Sequence, residues 1–400
     1  MSEQEQHILA PTNIEEVQQC IQAAISRQES LEVVGCATKH QYGLPVQARQ
    51  RLTLARMNQV LDYQPHELIL VVQPGAPLAE VRKTLSDSGQ TLAFDPPAWG
   101  QDATIGGTIG ANLSGPGRIK GGAARDHLLG FHAVTGRGDI IRGGGRVVKN
   151  VTGYDLSKAM TGSFGTLAVM TELVLKVLPA PEMERTVVVP GLDEQAAMRL
   201  MLDAARSPHD PSALAHLLPG VQIPEVVREL ATQDTGLTLI RVEGPEPSVM
   251  HRSEAMQQLT DHQVAYLTES DSSKLWENLR ELRPLPVNET VNLWRISIPP
   301  ALATQLWKEL RILGAEQGFM DWGGGLVWAL LPTARRGTRL HQVAREAGGH
   351  ARLVRFGRGE HTGEQVFSPL DSVKATLHKN LKLAFDPTGV LNPGRMYPEI

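Results

Sequence analysis

Apolar positions near the start of the chain recur with the period of a helix. In "PTNIEEVQQCIQAAISR", Ile14, Val17, Ile21, Ala24 and Ile25 share one stripe behind Thr12 and Asn13, two helix-starting residue types, so the stretch predicts an amphipathic helix. "LEVVG" (31–35) then reads as a short β-branched strand running into the loop "GCATKHQYGLP". "HELILVVQPG" repeats strand and turn, and "APLAEVRKTLSDSG" follows as a helix closed at Gly89. Between 104 and 122 the pattern breaks: "TIGGTIGANLSGPGRIKGG" holds seven glycines and one proline. Beyond it, "HLLGFHAVTGRGDIIR" predicts a hairpin turning at Gly136-Arg137-Gly138-Asp139, and "GTLAVMTELVLKVLP" predicts a long strand closed by Pro179.

From residue 185 onward the texture changes. "RTVVVPG", "LTLIRVEG", "VNLWRISIP", "FMDWGGGLVWALL" and "ARLVRFG" read as strands, with helices at "DEQAAMRLMLDAARS" and "SVMHRSEAMQQL". This is the alternation of a second α+β domain. The tail carries one more helix and an Asp-Pro, Asn-Pro-Gly loop, and neither a repeat nor a low-complexity segment occurs.

Four hundred residues exceed the size at which one core stops growing, so two or three domains are expected. A 41% hydrophobic and 20% charged composition belongs to a globular protein, and a net charge of -4 lacks the basic excess that nucleic-acid binding requires. Two cysteines, Cys20 and Cys36, exclude a disulfide framework and any four-cysteine cluster built by this chain alone. The N-terminus has neither the basic start nor the apolar run of a signal peptide, and no run approaches a membrane span. A cytoplasmic location is expected, with membrane contact only through partners.

Phosphate-loop and Rossmann signatures are both missing; the nearest approach, "GPGRIK", puts Lys120 where the third glycine belongs. No G-x-S-x-G or H-E-x-x-H occurs either. What remains is two backbone-rich segments, one after "LEVVG" and the other at 104–122. Each can present main-chain amides to an anion as a nest, and Gly106, Gly107 and Gly110 allow a ligand close to the chain. Two such loops suit the diphosphate of a dinucleotide, although glycines also simply make turns. Among the histidines, His40 and His127 lie nearest these segments, while His341, His350 and His361 are too widely spaced for a metal site. Arg125 and Asp126 read as an ion pair holding a loop, and Trp322 as a strand-end aromatic that either packs in the core or covers a ring.

The order "GCATKH", "VVQPGAPLAEVRKTLSDSGQTLAFDPP", "TIGGTIGANLSGPGRIKGG", "VKNVTGYDLSKAMTGSFGTLAVMTELVLKVLP" and "FDPTGVLNPGRMYPE" resembles the vanillyl-alcohol oxidase (PCMH-type) superfamily of FAD-binding proteins. Within it the chain is similar to the FAD-binding subunits of bacterial glycolate oxidases. The resemblance implies an α+β fold: a two-subdomain FAD-binding domain over 1–180, a smaller α+β cap domain over 181–370, and a C-terminal segment, 371–400, that returns to the flavin. It assigns Gly35, Ala37, Thr38, Lys39 and His40 to a first pyrophosphate loop, and Thr104, Gly106, Gly107, Ile109, Ala111, Asn112 and Ser114 to a second FAD-contacting loop. Asp155, Gly162, Ser163, Gly165, Thr166 and Val169 fall along the ribityl and pyrimidine side.

Two departures stand out: Phe164 replaces a residue that is often Glu in catalytic relatives, and "FMDWGGGLVWALL" lacks the histidines of their metal site. The resemblance therefore implies an FAD-carrying subunit that relays electrons, with no metal and no assigned catalytic residue. A paralogous flavoprotein would oxidise the substrate and an iron-sulfur subunit would take the electrons onward. A self-sufficient flavin oxidase or dehydrogenase for another alcohol or hydroxy acid and a non-catalytic structural subunit with the same fold are the alternatives.

Overall fold

A computed structural model describes residues 7–146, 154–231, 234–333, 337–357 and 365–398. The chain divides into two compact units, one formed by 1–114, 122–180 and 370–400, the other by 115–121 and 181–369. The segment 370–400 thus joins the first unit, and the short piece 115–121 joins the second.

In the first unit, β1 (His7–Leu9), β2 (Leu31–Val34) and β3 (Gln50–Thr53) make a parallel sheet in the order β1-β3-β2. The helix α1 (Ile14–Arg27) forms as its periodicity predicts: the Asn13 side chain caps the Glu16 amide at 2.8 Å, and Val17, Ile21 and Ala24 are buried. A second, antiparallel sheet contains β4 (Val60–Gln64), β5 (Ile69–Val72), β7 (Leu128–Thr135), β8 (Ile140–Gly144) and β9 (Ala168–Lys176) in the order β4-β5-β9-β7-β8; β6 (Gln90–Thr91) pairs apart from it with β10 (Leu178–Pro179). The β7–β8 hairpin turns at 136–139, as its glycines demand. Against this sheet lie α2 (Leu78–Ser86) and the short α3 (Ile105–Gly110), sharing a core that includes Leu70, Val72, Leu78, Val81, Ile105, Ile109, Phe131 and Leu173.

The glycine-rich stretch is where the expectation of loops changes. It winds into α3, α4 (Arg118–Gly121) and, just beyond, α5 (Ala124–His127), with α6 (Leu156–Met160) following β8. Thr104 starts α3 by accepting the Gly107 amide, and one cap with two hydrophobic anchors, Ile105 and Ile109, outweighs the poor helix propensity of three glycines.

The second unit is built on one eight-stranded antiparallel sheet. Its strands are β11 (Met183–Pro190), β12 (Ala213–Leu217), β13 (Leu237–Gly244), β14 (Ala265–Thr268), β15 (Val291–Ser297), β16 (Gln317–Asp321), β17 (Leu326–Pro332) and β18 (His350–Arg355), ordered β14-β11-β13-β12-β16-β17-β15-β18. Helices α7 (Glu194–Arg206), α8 (Glu246–Met256), α9 (Glu269–Arg280), α10 (Ala303–Ile312) and α11 (Gly337–Glu346) accompany it. The last helix of the chain, α12 (Ser372–Phe385), belongs to the first unit. β12 was missed in the sequence because all five of its residues are buried, which erases the polar alternation that marks a half-exposed strand. No helix among the described residues is long and apolar enough to cross a membrane.

Candidate functional site

The first unit contains a cavity where the ends of β2 and α3, the 162–166 turn and the C-terminal segment meet. Its walls include Gly35, Ala37, Thr38, Lys39, His40, Thr104, Gly106, Gly107, Ala111, Gly165 and Val169.

The first loop leaves β2 at Val34. A Cβ on Gly35 would run into the Thr104 hydroxyl, so the glycine is needed to bring the two segments together. Thr53 ties the loop to β3 by donating to the Gly35 carbonyl at 2.8 Å. Ala37 then adopts a left-handed φ of +55°, costly for an L side chain and common at ligand-binding turns. Among the described residues no acceptor takes the amides of Cys36, Ala37 or Thr38. Three successive donors around a left-handed residue are an anion-binding nest. Lys39 reaches the Ala98 carbonyl at 3.1 Å, and the His40 amide and ring both meet the Ala37 carbonyl at 3.1 Å, which fixes the outer side of the turn.

The second segment works differently. At the start of α3 the Ile105 amide donates to Ala76 O at 3.0 Å, Gly106 to Pro74 O at 2.8 Å and Gly107 to Thr104 Oγ1 at 3.2 Å. Gly106 and Gly107 are among the residues that the resemblance assigns to the second FAD-contacting loop, and their amides are already taken, one by the 74–76 turn and the other by the Thr104 hydroxyl. Gly106 is bare because Pro74 leaves its Cβ no room; Gly110, in contrast, faces open space with nothing within 4 Å of where a Cβ would be. Gly107 is intermediate, with Thr104 Oγ1 at 3.3 Å. What this segment offers the cavity is therefore close approach at Gly107 and Gly110.

Several expected residues act behind the walls. Ile109 is buried, and its carbonyl receives the Gly162 amide at 3.1 Å. Asn112 stands at φ +51°, and its Oδ1 is buried without a partner among the described residues. Ser114 accepts the Ala124 amide at 3.0 Å, and Asp155 caps α6 through the Lys158 amide at 3.3 Å, so both are local helix determinants. Gly162 takes φ +86° and Gly165 φ +68°; between them Ser163 accepts the Thr166 hydroxyl at 2.7 Å, closing the turn. The "VKNVTG" part of that motif, 148–153, lies outside the described residues, as does His361.

Residues that the sequence did not single out complete the site. Asn392 accepts the Val33 amide at 2.7 Å and donates to Phe164 O at 2.8 Å, bridging β2 and the 162–166 turn. Arg395 donates to Leu44 O at 2.8 Å, Lys39 O at 3.0 Å and Tyr42 O at 3.3 Å, spanning the whole first loop; burial lowers its pKa below the usual arginine value. Behind them the buried Lys382 ammonium meets Asp386 Oδ2 at 2.7 Å and the carbonyls of Thr166 and Leu391, each at 2.8 Å. Burial lowers the Lys382 pKa, against the opposing pull of Asp386. Tyr42 packs on Phe164 at 5.4 Å and Trp99 at 5.5 Å. The "LNPGR" tail was the available signal for this clamp, but nothing in it named the atoms it would hold.

The remaining sequence candidates fall elsewhere. His127 is buried against Phe94 at 5.2 Å and contacts the Lys176 carbonyl, a core position. Arg125 and Asp126 lie 3.9 Å apart at the surface. In the second unit, the Trp322 ring sits between the Arg118 and Arg295 guanidiniums, 4.4 and 5.0 Å away, and its Nε1 donates to Gly115 O at 3.0 Å. His341 contacts Ser368 at 3.0 Å and Gln365 O at 2.7 Å. No group of three or more His, Cys, Asp or Glu among the described residues is placed to hold a metal ion.

Comparison with known proteins agrees with this geometry. Residues 6–144 match a family model described as an FAD binding domain, and 357–396 match one described as the C-terminal domain of FAD linked oxidases. The chain is 35% identical to the glycolate oxidase subunit GlcE of Escherichia coli over 95% of this chain and 96% of that one. It is 27% identical to the glycolate oxidase subunit GlcD of Bacillus subtilis over 98% and 88%. Among solved structures it shares the fold of the 4-ethylphenol oxidase of Gulosibacter chungangensis, with a TM-score of 0.71, 17% identity and coverage of 98% and 89%. A p-cresol methylhydroxylase structure gives a TM-score of 0.70 at 15% identity, covering 97% and 88%. With the 35% identity to GlcE sustained over nearly the whole of both chains, the protein belongs to the glycolate oxidase subunit GlcE family of FAD-linked oxidoreductases.

Proposed function

We propose that this chain is the FAD-carrying subunit of a glycolate-oxidising complex on the cytoplasmic side, relaying electrons while a paralogous flavoprotein subunit oxidises the substrate to glyoxylate. FAD, when bound, supplies a two-electron acceptor that can pass electrons on singly to an iron-sulfur partner. The observation that carries the cofactor assignment is the open donor set of Cys36, Ala37 and Thr38 at the wall of the cavity. Those amides would hold the diphosphate, and Gly107 and Gly110 would admit the ligand against the chain. Phe164, Gly165 and Val169 line another wall, which the Asn392 bridge keeps at a set distance from β2, while Ser163 and Thr166 close the turn behind it.

The division of labour rests on Phe164 and on the histidine-free Asp321–Gly325 turn. Asp321 accepts the Trp322 amide at 2.7 Å, a turn-forming role, and no histidine stands beside it in this turn. The test is to purify the chain with its flavin and mix it with glycolate and an artificial electron acceptor. Slow or absent turnover alone, restored when the paralogous subunit is added, is the expected result. Fast turnover by the isolated chain would refute the relay role while leaving FAD binding intact.

A further inference from the structure

We propose that the buried Lys382–Asp386 pair is a positioning device for the cofactor cavity: it sets where the C-terminal tail lies on β2 and so delivers Asn392 and Arg395 to the cavity walls. The tail's own contact with the strand is short. Leu391 pairs with Leu31 through a single parallel bridge, in which the Leu31 amide donates to Val390 O at 2.8 Å and the Asn392 amide to Leu31 O at 3.0 Å. One bridge fixes little, and a slip of one residue would turn Asn392 away from the cavity it lines. Asn392 also stands at φ +43°, a left-handed conformation that persists only where its surroundings hold it.

The pair supplies that hold. Asp386 ends α12 four residues after Lys382, which stacks the two side chains on one side of the last turn, 2.7 Å apart. Asp386 Oδ1 accepts the Val390 amide at 3.0 Å, and Oδ2 accepts the Leu391 amide at 2.8 Å. Lys382 Nζ spends its other two protons on Leu391 O and Thr166 O, each at 2.8 Å. Leu391 is thus gripped by both its amide and its carbonyl, one residue before Asn392. Thr166 closes the same turn whose Phe164 carbonyl accepts the Asn392 side chain at 2.8 Å. The pair and Asn392 therefore join the same two segments, and the pair decides the spacing. Gly136, in the β7–β8 turn, has no room for a Cβ because Asp386 fills the space, so the hairpin covers the buried pair.

Stability alone is a poor reason for this arrangement. Two charges are taken out of water, and the carboxylate stands at the end of a helix where the dipole is already negative. Apolar residues of similar volume often do as well or better in such a place. What they lack is direction. A methyl group packs against any part of the tail, whereas four hydrogen bonds to named backbone atoms admit one register.

From the proposed function the inference takes only that the cavity holds FAD. The full-length chain is compared with Lys382→Met/Asp386→Leu, which removes both charges together, and with Asp386→Asn, which decides by the same readouts if the double variant does not fold. Flavin affinity is read by fluorescence titration, apo stability by calorimetry and the tail by amide hydrogen exchange over 390–395. Expected in the double variant are an unchanged or higher apo melting temperature, a flavin affinity lowered about tenfold and tail exchange raised about tenfold, with a smaller change of the same kind in Asp386→Asn. Asn392→Ala lowers affinity in the wild-type chain and has no further effect in the double variant, where its side chain is no longer delivered; losses that simply add overturn the inference. A folded double variant with wild-type affinity and tail exchange overturns it too, as does exchange raised evenly across the first unit with a matching loss of stability. A wild-type chain without flavin affinity overturns the cofactor reading instead, and tail exchange in the apo protein then still decides the register.

Discussion

Two segments of the first unit meet at the cavity and look alike in the sequence, yet they serve it in different ways. The 35–38 loop has one glycine and keeps three amides open; the 104–110 segment has three glycines and has used its first-turn amides on Ala76, Pro74 and Thr104. Glycine content therefore marks where backbone runs close to something, and the something is as often protein as ligand. Anion binding is decided by which donors are left over after the chain has satisfied itself.

The largest test of this contrast removes what holds the first loop in shape. Arg395→Met strands three carbonyl acceptors, so a stability loss of about 3 kcal/mol and a flavin affinity lowered about 100-fold are expected by calorimetry and flavin fluorescence, with partial recovery in Arg395→Lys. Full flavin binding by Arg395→Met would show that the loop holds its nest unaided. Gly106→Ala should cost about 2 kcal/mol in thermal unfolding, because its Cβ meets Pro74, and the deficit should be the same with or without flavin. Gly110→Leu reverses that pattern: apo stability is kept, while flavin affinity falls about tenfold, a 1.4 kcal/mol effect, because the side chain enters the cavity. If both glycine variants lose stability alone, the second segment has no ligand role.

A titration probes the first loop without altering it. Burial, followed by the nearby Asp102, raises the Cys36 thiol above its usual pKa, against a smaller opposing pull from Lys39. The thiolate is the reactive form, so iodoacetamide labelling at neutral pH should lag a free cysteine and rise only as pH passes above the ordinary thiol range. Added FAD should slow it further, and labelling indifferent to FAD would argue against ligand at this loop. The smallest effect belongs to Ala37→Gly: relief of the left-handed strain and the added chain entropy nearly cancel, leaving a stability change of less than about 1 kcal/mol with flavin retained.

Much of the architecture could be read from local pattern. The Asn13-capped helix, the 136–139 hairpin, the long strand into Pro179 and the change of texture near 185 are decisions taken over a few residues, by caps, turns and periodicity. The site was legible in part: the segments carrying Gly35 to His40 and Thr104 to Ala111 do line one cavity. Ser114 and Asp155 show the limit, since a motif position can equally be a helix cap, and only the acceptor it meets tells the two apart. Asn392 and Arg395 escaped notice because their partners lie more than 200 residues away in sequence, and no spacing rule reaches that far.

By itself, then, the sequence determined many of the elements, the two-domain texture and which segments line the cavity, because each follows from residue types acting on near neighbours. Tertiary structure alone decided which amides remain free, which glycines face protein and which face space, and which tail side chains clamp the two walls. Those outcomes depend on competition among distant groups for the same donors and the same volume, and that competition is settled only when the chain is packed.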